Sequence, residues 1–101
     1  MAKTVEHSII KYYAVLTKDK KQIVVDSRRI DNFEISCNPK YQLYDIDYIF
    51  GSMNGRHWGT TQEAYHANEI YKAYKEVDPT ADINVYEIFI STKVDYDIGV
   101  K

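Results

Sequence analysis

The sequence predicts an α+β domain with two layers: a mostly antiparallel sheet of four to five strands and one long amphipathic helix packed on one face. Two observations support this prediction. Segments rich in β-branched and aromatic residues occupy residues 7–50 and 83–92. Residues 60–77 form the one stretch with apolar residues at helical spacing. A single amphipathic helix buries its apolar stripe against one face of a sheet, which gives two layers.

The first half of the chain is typical of extended structure. Residues 7–16 (HSIIKYYAVL) predict a strand that places Ile10, Tyr12, Ala14 and Leu16 on one face. The following TKDKK predicts a turn, and QIVVDSRR predicts the returning strand of a hairpin. A third extended segment, NFEISC, ends at NPK, where Asn-Pro favours a turn.

Residues 41–50 (YQLYDIDYIF) fit two structures. A strand would place Tyr44, Ile46, Tyr48 and Phe50 on one face, whereas a short helix would align Leu43, Ile46 and Phe50. The three tyrosines and two isoleucines of the segment favour the strand.

The predicted helix begins at Thr60, which forms a capping box with Glu63. Its apolar stripe consists of Ala64, Ala67, Ile70, Tyr71, Tyr74 and Val77. A helix over these residues would be about 27 Å long, and Pro79 ends it. INVYEIFIST then predicts a central strand. The whole of 1–101 forms one domain, with 1–6 and 95–101 as loose ends.

Composition and charge exclude several classes of function. The chain has 101 residues and a formal net charge of -2, whereas nucleic-acid binders normally carry a basic stripe. No stretch approaches the roughly 20 apolar residues of a membrane span. A single cysteine, Cys37, cannot form an internal disulfide, so a reducing compartment such as the cytoplasm is expected. The sequence predicts no catalytic residue, metal site or cofactor.

A glycine-rich loop precedes the predicted helix and is the main candidate for a ligand site. Three of the four glycines, Gly51, Gly55 and Gly59, lie within nine residues. The start of a helix attracts anions, arginine grips phosphate, and tryptophan stacks on bases. The candidate nucleotide-binding residues are Asn54, Arg56, His57, Trp58, Thr60 and Thr61. The glycine spacing matches no known phosphate-binding motif, and Asn54-Gly55 is a common turn pair, so an ordinary turn is the simpler interpretation.

A second candidate is a cluster of imidazoles and carboxylates. His66 lies one turn from the loop that carries His57, close to Glu63, and Asp45 and Asp47 would join them if their segment is a strand. Such a cluster could perform acid–base chemistry or bind a metal. The spacing matches no recognised ligand pattern, so a structural role for these side chains is favoured.

The ten tyrosines exceed what so small a core can bury, and tyrosine is enriched at protein interfaces. The predicted partner-binding residues are Tyr65, Tyr12, Tyr13 and Tyr44. These observations predict a non-catalytic module that binds a protein partner, with homodimerisation through a tyrosine-rich sheet face left open. The alternative is a nucleotide- or phosphate-binding protein that uses the loop from Gly51 to Gly59 and the helix start at Thr60.

The second half of the chain resembles small accessory proteins of bacteriophages. The similarity lies in HWGTTQEAYHANEIYKAY followed by INVYEIFI, in the length, and in the content of Tyr, Lys, Ile and Asp. It implies a protein of the host-cell cytoplasm that binds and modulates or inhibits a host or phage macromolecule, or that sequesters a nucleotide used in defence. It assigns no function to any single residue.

Overall fold

A computed structural model describes residues 9–27, 40–52, 57–91 and 96–99. Its strands are β1 (Ile9–Thr17), β2 (Gln22–Asp26), β3 (Tyr41–Asp45), β4 (Ile83–Ser91) and β5 (Tyr96–Gly99). Its helices are α1 (Ile46–Gly51) and α2 (Ala64–Val77). The strands form one sheet in the order β3-β2-β1-β4-β5, and all four neighbouring pairs are antiparallel. The predicted α+β class is confirmed.

Neighbouring residues of a strand point to opposite faces of the sheet, and in this sheet both faces carry apolar side chains. On one face, α2 packs its buried Tyr74 against Val15, Val24 and Ile83. Burial of its ring and, to a smaller extent, the charge of Asp78 raise the pKa of Tyr74 above its ordinary value. The opposite face holds a larger cluster, to which α1 contributes Ile46, Ile49 and Phe50.

β4 has the central position that its apolar sequence predicts. It pairs along its full length with β1, from Ile9 opposite Ser91 to Thr17 opposite Ile83, and its other edge pairs with β5. The prediction of a loose end over 95–101 is wrong for Tyr96–Gly99, because these residues form β5 at the edge of the sheet. The predicted extended segment NFEISC lies outside the described residues.

Residues 41–50 combine the two predicted alternatives. Tyr41–Asp45 is a strand, paired with β2 from Asp26 opposite Tyr41 to Gln22 opposite Asp45. The prediction of a strand is wrong beyond Asp45, because Ile46–Gly51 is helical. The Asp45 carboxylate accepts hydrogen bonds from the backbone N–H groups of Asp47 and Tyr48, at 2.8 and 3.3 Å, and so caps this helix.

The long helix begins later than predicted. It starts at Ala64, and Glu63 occupies the N-cap position without a side-chain capping bond, so the predicted start at Thr60 and the capping box are both wrong. Its 14 residues span about 21 Å rather than about 27 Å. Val77, predicted to lie in the apolar stripe, is 52% exposed at the end of the helix. Neither helix in the described part of the chain is both long and apolar enough to cross a membrane.

The β1–β2 turn is held by its own side chains. The Asp19 carboxylate accepts hydrogen bonds from the Thr17 hydroxyl at 2.7 Å and from the Lys21 N–H at 3.0 Å. These two bonds lower the pKa of Asp19 below its ordinary value, the Thr17 bond contributing most. Lys20 has a φ of 63°, a left-handed conformation that favours glycine.

The chain segment before α2 is inserted beside β1. The β1–β2 ladder consists of one register pair, Leu16 opposite Ile23. If that register continued, Tyr13 would face Asp26, since each lies three residues further from the turn. Tyr13 instead pairs with Thr61 through two backbone hydrogen bonds of 2.6 and 2.9 Å.

Gly59 passes through the resulting gap, and its lack of a side chain makes this possible. A Cβ atom at Gly59 would lie 2.8 Å from the Ile23 Cδ1 atom and 3.1 Å from the Val24 carbonyl oxygen. The described glycines have no positive φ, so close approach, rather than a special turn, requires glycine at this position.

We expect Gly59→Ala to lower the free energy of unfolding by about 1–3 kcal/mol, because the added methyl group overpacks the contact with β2. Gly51→Ala is the matched control, since a Cβ atom there meets nothing within 4 Å. The control should be neutral or stabilising by up to about 1 kcal/mol. Urea denaturation followed by circular dichroism measures both variants, and equal midpoints would show that the approach at Gly59 is unimportant.

Candidate functional site

An open cleft of about 390 Å³ lies where the sheet parts around the inserted loop. Four parts of the chain contribute to it: the end of β2, the start of β3, the loop before α2, and the first two turns of α2. The lining residues are Val24, Asp26, Lys40, Tyr41, His57, Trp58, Gly59, Thr60, Thr61, His66 and Ile70.

The cleft follows directly from the separation of β1 and β2. Val24 and Ile70 belong to the apolar cluster on the α2 side of the sheet, whereas Trp58 packs against the cluster on the opposite side. Asp26, which the hairpin register would place opposite Tyr13, lines the cleft instead. The same insertion therefore opens the cleft and supplies part of its wall.

Lys40 is fixed at the cleft by its backbone. The N–H and the hydroxyl of the fully buried Ser27 both donate to the Lys40 carbonyl oxygen, each at 2.8 Å. The Lys40 Nζ atom lies 5.1 Å from the centre of the Tyr41 ring, a distance at which an ammonium group is attracted to an aromatic face. The backbone of Lys40 is therefore held at the end of β2, and its ammonium group lies near the Tyr41 ring.

Two imidazoles line the cleft from different elements. His57, in the loop, makes an edge-on contact with the Tyr12 ring, with the ring centres 6.5 Å apart. His66, on α2, stacks on the Tyr65 ring at 5.9 Å between centres. Each imidazole thus has an aromatic neighbour that limits where its ring lies.

The loop between the two imidazoles carries hydroxyl groups. Thr60 and Thr61 both line the cleft, and the Thr61 hydroxyl oxygen accepts a hydrogen bond from the Glu63 N–H at 3.2 Å. Hydroxyl groups both donate and accept hydrogen bonds. Together with an ammonium group and two imidazoles, they form a set of donors suited to an anionic ligand.

The structure brings together most of the residues predicted for the ligand site. His57, Trp58, Thr60 and Thr61 all line the cleft. Asn54 and Arg56 lie outside the described residues. The glycine loop therefore has two features at once. Close packing constrains it at Gly59, and it forms one wall of the cleft.

The predicted cluster of imidazoles and carboxylates forms only in part. His57 and His66 share the cleft, but the Asp45 side chain caps α1. Asp45 and Asp47 do not share a strand face, because Asp47 lies in the helix. Among residues 9–27, 40–52, 57–91 and 96–99, no three His, Cys, Asp or Glu side chains are grouped closely enough to hold a metal ion.

The tyrosines predicted to bind a partner occupy two different environments. Tyr65 is 65% exposed, as its position on the outer face of α2 predicts. Tyr12 and Tyr44 are half-buried and pack against the core cluster to which α1 contributes side chains. Tyr13 is also half-buried, and the Lys11 Nζ atom lies 5.4 Å from the centre of its ring. Partner binding by these four residues remains a prediction.

Sequence analysis did not identify three residues of the cleft: Asp26, Lys40 and Tyr41. Asp26 and Tyr41 are register partners across β2 and β3, and Lys40 is tied to Ser27. These residues reach the loop only because Thr61 pairs with Tyr13. No local pattern reports that pairing, so the sequence contains no signal for their role.

Comparisons with protein-family models, curated proteins and solved structures gave no match to the chain.

We expect the amides of Tyr13 and Thr61 to be protected from hydrogen exchange, because each donates to the other residue's carbonyl oxygen. The amide of Tyr65 serves as the control, since it lies in the first turn of α2, where no carbonyl within the helix is available to accept. Exchange measured by NMR should be slow at the first two positions and fast at Tyr65. Equal rates at all three would mean that the loop is not anchored to β1.

Proposed function

We propose that the protein is a non-catalytic binding protein that holds an anionic small molecule of the nucleotide class in the cleft. The observation that carries this proposal is the convergence of Lys40, His57 and His66 on one cavity that Trp58 also lines. Ligand sites typically combine apolar walls with a few convergent polar groups. The cleft has both.

The polar groups support binding of a phosphate or carboxylate. An ammonium group attracts an anion at any physiological pH, and the imidazoles and hydroxyl groups add hydrogen-bond donors. α2 begins beside the cleft and has no side-chain cap at Glu63, so the positive end of the helix dipole adds about 0.3–1 kcal/mol toward an anion. Arg56 precedes His57 in the sequence and is the further candidate for this role, although the structure does not describe it.

The remaining walls support a ligand with a flat apolar part. Val24, Trp58 and Ile70 supply carbon surface, and aromatic residues stack on nucleobases with about 1–3 kcal/mol per base. The Asp26 carboxylate offers an acceptor for the amino or hydroxyl groups that a nucleotide carries. The volume of about 390 Å³ lies within the roughly 300–1,000 Å³ range of small-molecule sites.

We expect nucleoside monophosphates to change the fluorescence of Trp58, the only tryptophan of the chain, in a saturable way. Lys40→Met should weaken this binding roughly 10- to 100-fold, because it removes a charged hydrogen-bond donor while keeping the aliphatic stem. Lys72→Met is the matched control, since Lys72 is an exposed residue of α2 outside the cleft lining. A flat response to adenosine, guanosine, cytidine and uridine monophosphates up to millimolar concentration would refute the proposal.

A second candidate function is binding of a protein partner, which the exposure of Tyr65 favours. Its ring stacks on that of His66, which lines the cleft. A large aromatic side chain with a polar tip is a common anchor at interfaces. The resemblance to phage accessory proteins implies that this partner is a host or phage protein.

If Tyr65 is such an anchor, Tyr65→Ala should lower capture of the partner at least tenfold, a loss typical of an interface hot spot, and leave the melting temperature unchanged. Tyr48→Ala is the matched control, because Tyr48 is similarly exposed, at 61%, but belongs to α1. Affinity capture quantified by mass spectrometry compares the two variants with the unmodified protein. Equal capture by all three would remove Tyr65 from any interface.

A further inference from the structure

We infer that the sheet has a second, closed arrangement, in which β2 pairs with β1 as far as Asp26 opposite Tyr13 and displaces residues 57–61 from between the two strands. Residues 57–61 are called the wedge below. The cleft exists only while the wedge is in place, so closure and ligand binding exclude each other. The closed arrangement is argued from backbone geometry alone, whereas its competition with a ligand rests on the proposed function.

On β1, the backbone groups of Tyr13 already face β2. The Thr17 carbonyl oxygen accepts from the Lys20 N–H in the turn that joins β1 to β2, so Thr17 points to the β2 edge. Backbone groups alternate between the two edges of a strand, and Tyr13 lies four residues before Thr17. Tyr13 therefore points to the same edge, where it bonds to Thr61.

On β2, the backbone groups of Asp26 face β1. The Ser27 N–H donates to the Lys40 carbonyl oxygen, in the direction of β3. By the same alternation, the N–H and carbonyl of Asp26 point to the opposite edge. Neither strand therefore has to rotate for Tyr13 to pair with Asp26.

Closure exchanges two backbone hydrogen bonds for two others. In the structure, Tyr13 and Thr61 donate to each other at 2.6 and 2.9 Å. The register that places Leu16 opposite Ile23 places Asp26 opposite Tyr13, and the same two groups of Tyr13 would bond there. A residue has one backbone N–H to donate, so the two pairings of Tyr13 exclude each other.

Closure also releases Thr61 for the start of α2. Thr60 and Glu63 have the sequence of a capping box, but α2 begins at Ala64 and Glu63 makes no side-chain capping bond. Once Thr61 leaves Tyr13, the helix can extend back to Thr60. The hairpin register and the capping box are both unused in the structure and both used in the closed arrangement. Local signals that disagree with the observed fold indicate a competing state.

Packing of the wedge holds the open arrangement. Trp58 packs against the core cluster to which α1 contributes side chains, and this contact is lost when the wedge leaves the gap. Gly59 fits against Ile23 and the Val24 carbonyl only because it has no Cβ atom. Truncation of Trp58 should therefore shift the population toward the closed arrangement.

A ligand in the cleft would oppose closure. The wedge supplies five of the described lining residues, His57, Trp58, Gly59, Thr60 and Thr61. A ligand held by these residues binds the open arrangement alone, and a ligand shifts an equilibrium toward the state that it binds. Occupancy of the cleft should lower the closed population by the factor by which it stabilises the open one.

Disulfide trapping in the full chain detects the closed arrangement. Every variant carries Cys37→Ser, which removes the only native thiol, and oxidised glutathione is the oxidant. Tyr13→Cys with Asp26→Cys places two thiols at a hydrogen-bonded pair, whose Cα atoms lie about 5.5 Å apart, within the range of disulfides. The control is Tyr13→Cys with Gln22→Cys, which is out of register but closes a shorter loop, so unfolding would favour it.

We expect the 13/26 pair to oxidise roughly tenfold faster or more than the 13/22 pair, because closure is a local opening that costs less than unfolding. Adding Trp58→Ala should raise this ratio roughly tenfold or more. Tyr48→Ala, which truncates an exposed ring of α1, should leave the ratio unchanged. In the oxidised 13/26 protein, the Cα chemical shifts of Thr61, Gln62 and Glu63 should become helical and revert on reduction.

Adenosine monophosphate tests the competition. Its Kd is first measured by Trp58 fluorescence on the reduced 13/26 variant. At ten times that Kd, the ligand should slow oxidation of the 13/26 pair about tenfold, and the oxidised protein should no longer respond to it.

Each failure has a separate meaning. Equal oxidation of the two pairs, or non-helical shifts at residues 61–63 in the oxidised protein, would overturn the closed arrangement and leave the proposed function standing. Undiminished binding by the oxidised protein would overturn the competition. Absence of any response by the unmodified protein to the four monophosphates would overturn the proposed function and the competition, while the oxidation rates still decide whether the closed arrangement exists.

Discussion

The pairing of Thr61 with Tyr13 is the interaction on which the rest of the structure depends. It places a loop where β2 would otherwise continue alongside β1, and it lets the chain pass from the α1 side of the sheet, where Trp58 packs, to the α2 side. Gly59 is the point of passage, since only a residue without Cβ fits against Ile23 and the Val24 carbonyl. The position of α2 and the opening of the cleft both follow from this crossing.

Local sequence patterns were sufficient for most of the fold. The apolar runs of β1 and β4 and the helical stripe of α2 bury enough carbon to fix the type of each element. The ends of the elements were harder to predict because backbone hydrogen bonds to distant residues decide them. Thr61 looks like part of a helix start in sequence, yet its N–H and carbonyl bond to Tyr13, which delays α2 until Ala64. Similarly, Asp45 converts a strand-like sequence into α1 by accepting two bonds from the backbone ahead of it.

The candidate site also contains both residues that local sequence patterns reveal and residues that they do not. The loop residues His57, Trp58, Thr60 and Thr61 were identifiable, because a glycine-rich segment before a helix is a local pattern. Lys40 and Asp26 were not, because Asp26 belongs to β2 and Lys40 directly precedes β3, and the distance of both from the loop depends on pairing across the sheet. The number of tyrosines does not predict which of them are exposed, because an amphipathic ring serves a core as well as a surface. The structure places Tyr12 and Tyr44 against the core.

The position of β1 also constrains the order in which the molecule can assemble. Its short ladder with β2 joins residues close in sequence, but its other edge pairs with β4, so that Ile9 lies opposite Ser91. Contacts between residues so far apart form slowly, because closing a long loop costs entropy before the contact is made. A chain leaving the ribosome can form the hairpin early, yet β1 keeps an unsatisfied edge until Ile83–Ser91 has been synthesised. The sheet therefore cannot be completed during synthesis until β4 has emerged from the ribosome.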